Sequence, residues 1–117
     1  MVKYESELDA VFTALAHPAR RAMLARLGEA EATVGELAQP LDISLPAVTK
    51  HLKVLERAKL ISRSKDAQWR RCQLQEAPIN LAGDWIEEQR KTWESRLDRF
   101  EGYLHTLQSG KRKTNAK

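Results

Sequence analysis

The chain has 117 residues, 42% of them hydrophobic and 31% charged, with a formal net charge of +4. This length suits one globular domain, because two domains would leave neither half enough residues for a core. A single cysteine excludes an intramolecular disulfide and a zinc cluster built on thiolates. No apolar run approaches the roughly 18 residues that span a bilayer, and the first residues lack the pattern of a secretion signal. These features predict a cytoplasmic protein without a membrane partner.

Two helices are predicted in the first quarter of the chain. Pro18 suits the first turn of the second helix, where its missing N–H costs little, and Gly28 ends that helix. In the first helix, apolar residues recur at helical spacing; they are Leu8, Val11, Phe12 and Leu15.

A short third helix and a longer fourth helix follow, joined by a tight turn. Thr33 and Glu36 have the spacing of a capping box, and Pro40 ends the third helix. Ser44 is a good N-cap for the fourth helix. Its predicted core face consists of Leu45, Val48, Leu52 and Leu55. The opposite face consists of Pro46, Ala47, Lys50, Lys53, Val54 and Arg57.

The pattern then changes to a hairpin and a long helix. Segments 60–65 and 69–74 alternate as strands do, with a turn at 66–68. A helix is predicted over 78–108, and its apolar residues end in the 4-3-4-3 repeat of a coiled-coil-like contact. We therefore expect one domain over 1–108 and a disordered basic tail over 109–117.

Positive charge is concentrated in one internal stretch and in the tail. Residues 50–71 carry eight basic and two acidic side chains, whereas the segments on either side carry more acidic than basic ones. The last seven residues add four bases. A polyanion-binding surface has this kind of distribution.

These elements together predict a mainly α, winged helix-turn-helix fold with four helices, a β-hairpin wing and a long C-terminal helix. Such a fold binds duplex DNA by placing the N-terminal half of its second motif helix in the major groove. Short side chains at the start of the fourth helix would approach base edges, and cations further along and in the wing would contact phosphates. The predicted DNA-binding residues are Ser44, Pro46, Ala47, Thr49, Lys50, His51, Lys53, Arg57, Arg70 and Arg71.

Three segments resemble the ArsR-type repressors. They are Ala14-Leu15-Ala16-His17-Pro18-Ala19-Arg20-Arg21, with Val34-Gly35-Glu36-Leu37-Ala38 after it, and the continuous run from Ile43 to Ile61. The resemblance covers residues 8–108 and implies a homodimeric repressor whose fourth helix reads a palindromic operator. The chain departs from the family pattern at Lys59 and at the wing tip, residues 66–68, where glycines are usual.

The resemblance is strongest to the metal-independent branch of that family. Where metal-sensing members carry paired cysteines, this chain has Val34-Gly35-Glu36-Leu37-Ala38. Its terminal helix has Asp84, Glu87 and Glu88 but a lone His105, whereas transition-metal sites need several imidazole or thiolate ligands. We therefore expect no metal and no cofactor. A small organic ligand, a partner protein or protein abundance remains as the source of regulation.

The dimer is expected to form through the first and last helices, since an apolar seam on the long helix would otherwise stay exposed. The residues predicted at the interface are Leu8, Val11, Phe12, Trp93, Leu97, Phe100 and Leu104. The main alternative is a winged-helix module that binds protein, against which the basic stretch argues. An enzyme is not expected, because Ser44 and His51 lie about 10 Å apart along one helix.

Overall fold

The computed structural model of the chain describes residues 2–64 and 71–115, and side chains within 5–64 and 71–110. The helices are α1 (Val2–Leu15), α2 (Pro18–Glu29), α3 (Val34–Ala38), α4 (Leu45–Arg57) and α5 (Glu76–Asn115). The strands are β1 (Ala32–Thr33), β2 (Ile61–Arg63) and β3 (Arg71–Leu74). The predicted mainly helical, winged helix-turn-helix fold is confirmed. The chain divides into two compact units, Met1–Ala82 and Gly83–Lys117.

The junction between α1 and α2 is fixed by side chains that bind free backbone groups. His17 is the N-cap of α2, and its Nδ1 accepts a hydrogen bond from the backbone N–H of Ala19 at 3.1 Å. Arg20 and Arg21 donate to the last carbonyls of α1, since Arg20 Nε lies 2.7 Å from the Ala14 oxygen. The orphan carbonyls of the α1 C-terminus thereby gain partners.

Helix α3 begins with the predicted capping box. The backbone N–H of Thr33 donates to Glu36 Oε1 at 3.0 Å, and the N–H of Glu36 donates to Thr33 Oγ1 at 3.2 Å. The hydrogen bonds from Thr33 hold the pKa of Glu36 below its ordinary value. A single 3₁₀ turn at Gln39–Leu41 follows, and Asp42 then adopts a left-handed conformation with φ of 51°. Aspartate tolerates this region better than most residues do.

Helix α4 is closed at both ends by local hydrogen bonds. Ser44 is its N-cap, and the serine Oγ accepts from the Ala47 N–H at 3.3 Å. At the other end, the N–H of Leu60 donates to the Leu55 carbonyl at 3.0 Å while Lys59 donates to Glu56 at 2.9 Å. This is a Schellman motif, which requires a left-handed residue, and Lys59 supplies it with φ of 60°.

The strands form one antiparallel sheet in the order β1-β3-β2. Cys72 of the middle strand is paired with Ala32 of β1 and with Arg63 of β2. The sequence predicts the β2–β3 hairpin but not β1, because two residues are too few to show an alternating pattern. The predicted turn at 66–68 lies outside the described residues.

The core of the first unit lies where the helices meet the sheet. On α4, Val48, Leu52 and Leu55 are fully buried, as predicted, whereas Leu45 is 59% exposed. The prediction of Leu45 as a core residue is therefore wrong. Leu45 is the first residue of α4. The neighbouring elements do not cover the apolar face as far as this residue, and helical periodicity alone does not show where that cover ends.

Helix α5 extends further in both directions than the predicted helix. It begins two residues earlier, at Glu76, and continues to Asn115. Lysine and arginine are good helix formers, so the basic composition of the last residues is compatible with helix. The division into a domain over 1–108 and a tail over 109–117 stays a prediction. Within the described residues, none of the helices combines the length and the apolarity that crossing a membrane demands.

Candidate nucleic-acid interface

Helix α4 separates an apolar side from a cationic side. Its buried side is held by contacts with α1, α2, α3 and β2. On the opposite side, Lys50, Lys53 and Arg57 are all exposed. The hydrophobic anchoring therefore fixes the rotation of the helix, and this rotation presents the three cations to solvent.

The first turn of α4 carries short side chains. Ser44 and Pro46 are exposed, and Ala47 and Thr49 are half-buried. The Ser44 hydroxyl already accepts the capping hydrogen bond, so what it offers a ligand is its O–H as a donor. Leu45 is also exposed in this turn, so the short side chains leave the backbone accessible on the side of Pro46 and Ala47, which suits contact with base edges.

Ion pairs distinguish the cations of α4 from those of the strands. Arg71 donates to Glu31 at 2.7 Å, and Glu31 also accepts from Gln73. The hydrogen bonds from Gln73 and Arg71 lower the pKa of Glu31, and the one from Gln73 has the larger effect. Arg63 Nε lies 3.1 Å from Glu56 Oε1, at ion-pair distance though not aligned for a hydrogen bond.

By contrast, the three cations of α4 form no ion pair with any residue in the described part of the chain; they are Lys50, Lys53 and Arg57. Their charge is thus available to a polyanion. Of the two predicted wing contacts, Arg70 lies outside the described residues, and Arg71 is engaged with Glu31.

His51 lies on the flank of the cationic side, in a cluster that the sequence does not reveal. Its Nδ1 is 3.2 Å from Arg20 Nη1, and its ring centroid is 4.3 Å from that of His17. Burial lowers the pKa of His51, and electrostatic interactions with His17 and Arg20 lower it further. Arg20 and His51 lie 31 positions apart in the sequence, so no local spacing indicates the contact.

The predicted dimer residues fall into two groups. Leu8 and Val11 are buried in the core of their own unit, and Phe12 is half-buried, which leaves them little surface for a partner. In the second unit, large apolar side chains of α5 are 41–63% exposed; they are Trp93, Leu97, Phe100, Tyr103, Leu104 and Leu107.

Potential metal ligands are dispersed. Among the described residues, no three histidine, cysteine or acidic side chains are grouped as a metal site requires. Cys72 is buried in the middle strand, and burial raises the pKa of its thiol. The thiolate that a soft metal would need is therefore disfavoured.

Comparison with known proteins agrees with this architecture. Residues 15–63 match the model of a helix-turn-helix domain. The chain is 49% identical over 53 residues to the HTH-type transcriptional regulator Rv2034 of Mycobacterium tuberculosis, covering 45% of this chain and half of that protein. It is 34% identical to the transcriptional repressor SdpR of Bacillus subtilis, covering 53% of this chain and 69% of the repressor.

A solved structure extends the likeness over most of the chain. The crystal structure of the ArsR family transcriptional regulator RHA00566 superposes with a TM-score of 0.75 and 41% sequence identity. The match covers 81% of this chain and 98% of that one. This level of identity and coverage, together with the helix-turn-helix and its exposed cations, shows that the two proteins are related in sequence and do not merely share a fold. This chain belongs to the ArsR family of helix-turn-helix transcriptional regulators.

Proposed function

We propose that this protein is a homodimeric repressor that binds a palindromic DNA operator through α4 and that metal ions do not control it. The observation that carries the proposal is the side of α4 that bears Lys50, Lys53 and Arg57, all exposed and free of ion pairs within the described residues. The name of the similar SdpR supports repression. A palindromic operator follows from a two-fold symmetric dimer.

The position of each cation along α4 assigns it a different contact. Lys50 follows the short side chains of the first turn and is proposed to contact a base. Lys53 and Arg57 lie one and two turns further along and are proposed to contact phosphates. Base contacts give sequence preference, whereas phosphate contacts give affinity that is independent of sequence and falls with salt.

The test starts with selection of bound sequences from random duplexes, followed by titration at several salt concentrations. Lys53→Ala and Arg57→Ala should weaken binding to all duplexes about equally and reduce the salt slope by about one each. Lys50→Ala should reduce the preference for the selected operator by about 1–3 kcal/mol per half-site. Lys91→Ala, which removes an exposed cation from α5, is the matched control and should change neither quantity.

Three results would contradict the proposal or part of it. Binding that is insensitive to salt, or wild-type protein that selects no sequence, would favour the protein-interaction module instead. A larger loss of operator preference in Lys53→Ala than in Lys50→Ala would mean that α4 lies in the groove at a different rotation.

Independence from metals is supported by the surroundings of the cysteine and of two of the three histidines. The Cys72 thiol is buried, and the Nδ1 atoms of His17 and His51 accept hydrogen bonds from the Ala19 N–H and the Arg20 guanidinium. We expect Zn²⁺, Ni²⁺, Cd²⁺ and arsenite to leave operator affinity unchanged when titrated into the dimer. Submicromolar binding of any of them with a tenfold or greater release of DNA would overturn this part of the proposal.

A further inference from the structure

The contacts around His51 fix the position of its proton. A guanidinium group has hydrogen-bond donors and no acceptor. The contact between Arg20 Nη1 and His51 Nδ1 at 3.2 Å therefore makes Nδ1 the acceptor. In the neutral imidazole the proton then lies on Nε2, so the ring presents an N–H donor at that atom.

This donor is available to a ligand. Within residues 5–64 and 71–110, Nε2 of His51 forms no hydrogen bond, and it is not among the buried polar atoms that lack a partner. Nε2 therefore reaches solvent. His51 directly follows Lys50 on the flank of the cationic side of α4, where a DNA backbone would pass if α4 entered the major groove.

The His51 ring is held in place by Arg20 and by His17. Arg20 is itself fixed, because its Nε donates to the Ala14 carbonyl at 2.7 Å and its Nη2 to the Thr13 carbonyl at 3.0 Å. His17, tied by Nδ1 to the N–H of Ala19, packs against the His51 ring at an interplanar angle of 49°. A donor held in this way loses little freedom when it binds.

We propose that the Nε2–H of His51 donates to one backbone phosphate of each operator half-site and that Arg20 is the positioning residue that keeps the ring in this neutral form. The inference rests on the proposed DNA-binding function and deepens it. The ligand is a phosphodiester group of duplex DNA, and a neutral donor to a charged acceptor is a strong hydrogen bond.

The neighbouring charges favour the neutral ring. Protonation at Nδ1 would set two N–H groups against each other across 3.2 Å. Among the described groups, the electrostatic interactions that lower the pKa of His51 are those with His17 and Arg20, while α1 contributes only backbone carbonyls that bind Arg20. Lys50 is the adjacent cation on α4 itself. Operator affinity of the wild type should therefore be flat as the pH falls from 8 to about 6.5.

The first experiment locates the phosphate. Neutral methylphosphonate groups replace the phosphates of one half-site one at a time, and affinity is measured for the wild type and His51→Ala. The phosphates assigned to Lys53 and Arg57 should be sensitive in both proteins, and we expect one further position at which only the wild type loses affinity, by about tenfold. His51→Ala removes the contact from both half-sites, so it should lose about a hundredfold on the unmodified operator and nothing more at that position.

The second experiment tests the role of Arg20 by a pH profile. In Arg20→Met the ring is released and takes up a proton on binding phosphate, so affinity should rise about threefold or more from pH 8 to pH 6. Arg21→Met is the matched control, since Arg21 also donates to a carbonyl at the end of α1, that of Leu15. It removes the same charge and should leave the profile flat.

His51→Gln keeps the proposal testable if Arg20→Met does not fold. A glutamine amide places its N–H near the position of Nε2, so this variant should retain affinity within about threefold and the same sensitive phosphate. Equal behaviour of His51→Gln and His51→Ala, or equal losses at all phosphates, would overturn the inference. A wild type that selects no operator would instead overturn the proposed function itself.

Discussion

Lys59 takes a backbone conformation that its side chain does not favour. Its φ of 60° lies in the left-handed region, which costs an L-residue roughly 1 kcal/mol relative to glycine. The Schellman motif holds it there because the amides of Lys59 and Leu60 close the end of α4. The side chain itself is exposed, so the conformation and not packing determines what a substitution does.

Lys59→Gly should therefore stabilise the protein by about 1 kcal/mol, measured by urea unfolding. The matched control is Lys53→Gly, which makes the same substitution at an exposed position inside α4 and should destabilise by about 1 kcal/mol. Destabilisation by both changes would show that the left-handed cap is not strained.

Two leucines that lie on the same predicted face of α4 differ in how deeply they are buried. Leu52 is fully buried, and Leu45 is 59% exposed. Leu52→Ala should lower the free energy of unfolding by about 2–5 kcal/mol, whereas Leu45→Ala should change it by no more than about 0.5 kcal/mol. A comparable loss in Leu45→Ala, measured by the same urea titration, would mean that this side chain is covered in solution.

At the scale of whole elements, α5 exposes an apolar seam that a second copy of the chain covers in the proposed dimer. Leu97 and Phe100 are 61% and 57% exposed. Leu97→Glu places a charge in this seam and should shift the protein to monomer in sedimentation at micromolar concentration, because an isolated buried carboxylate is costly.

The control for this change is Ser95→Glu. Ser95 is exposed on α5 and lies about 200° around the helix from Trp93 and Leu97, so it adds the same charge outside the seam. It should leave the dimer intact. Dissociation by both variants, or by neither, would count against the seam as the interface.

The elements that sequence predicts well are those determined by their own residues. The Thr33–Glu36 capping box and the Ser44 cap depend on groups three residues apart, and both form as predicted. Strand β1 is different, because its two residues become a strand only by pairing with β3. The contact of His51 with Arg20 likewise requires two helices to be packed before it exists. A local sequence pattern does not show which distant segments of the chain will contact each other.

For the molecule as a whole, we expect acid to lower the free energy of unfolding in two separate pH ranges, one set by a histidine and the other by carboxyl groups. The pKa of His51 is lowered from 6.5 in the folded state, so the unfolded chain binds its proton first as pH falls. The stability contributed by the neutral ring is complete above about 6.5 and is lost below it. The lowered carboxyl pKa values of Glu31, Glu36 and Glu87 act in a separate range, below their ordinary 4.5.

Urea unfolding at pH 7.5, 6, 5 and 4 should therefore show two successive decreases in stability. His51→Gln should remove the decrease between pH 7.5 and 5 and leave the one below 4.5. A wild type whose stability rises on acidification to pH 5 would show that the folded state holds the histidine proton more tightly than the unfolded chain does.

The order of strands in the sheet has a consequence for the autonomy of the helix-turn-helix. Strand β1 precedes α3 and α4, β2 follows them, and both pair with β3 and not with each other. Helices α3 and α4 thus lie in a segment whose two ends are tied together by a third strand that lies later in the chain. A fragment that ends before Arg71 lacks that tie, and its two edge strands have no backbone partners. We therefore expect the helix-turn-helix to need the second strand of the wing in order to fold.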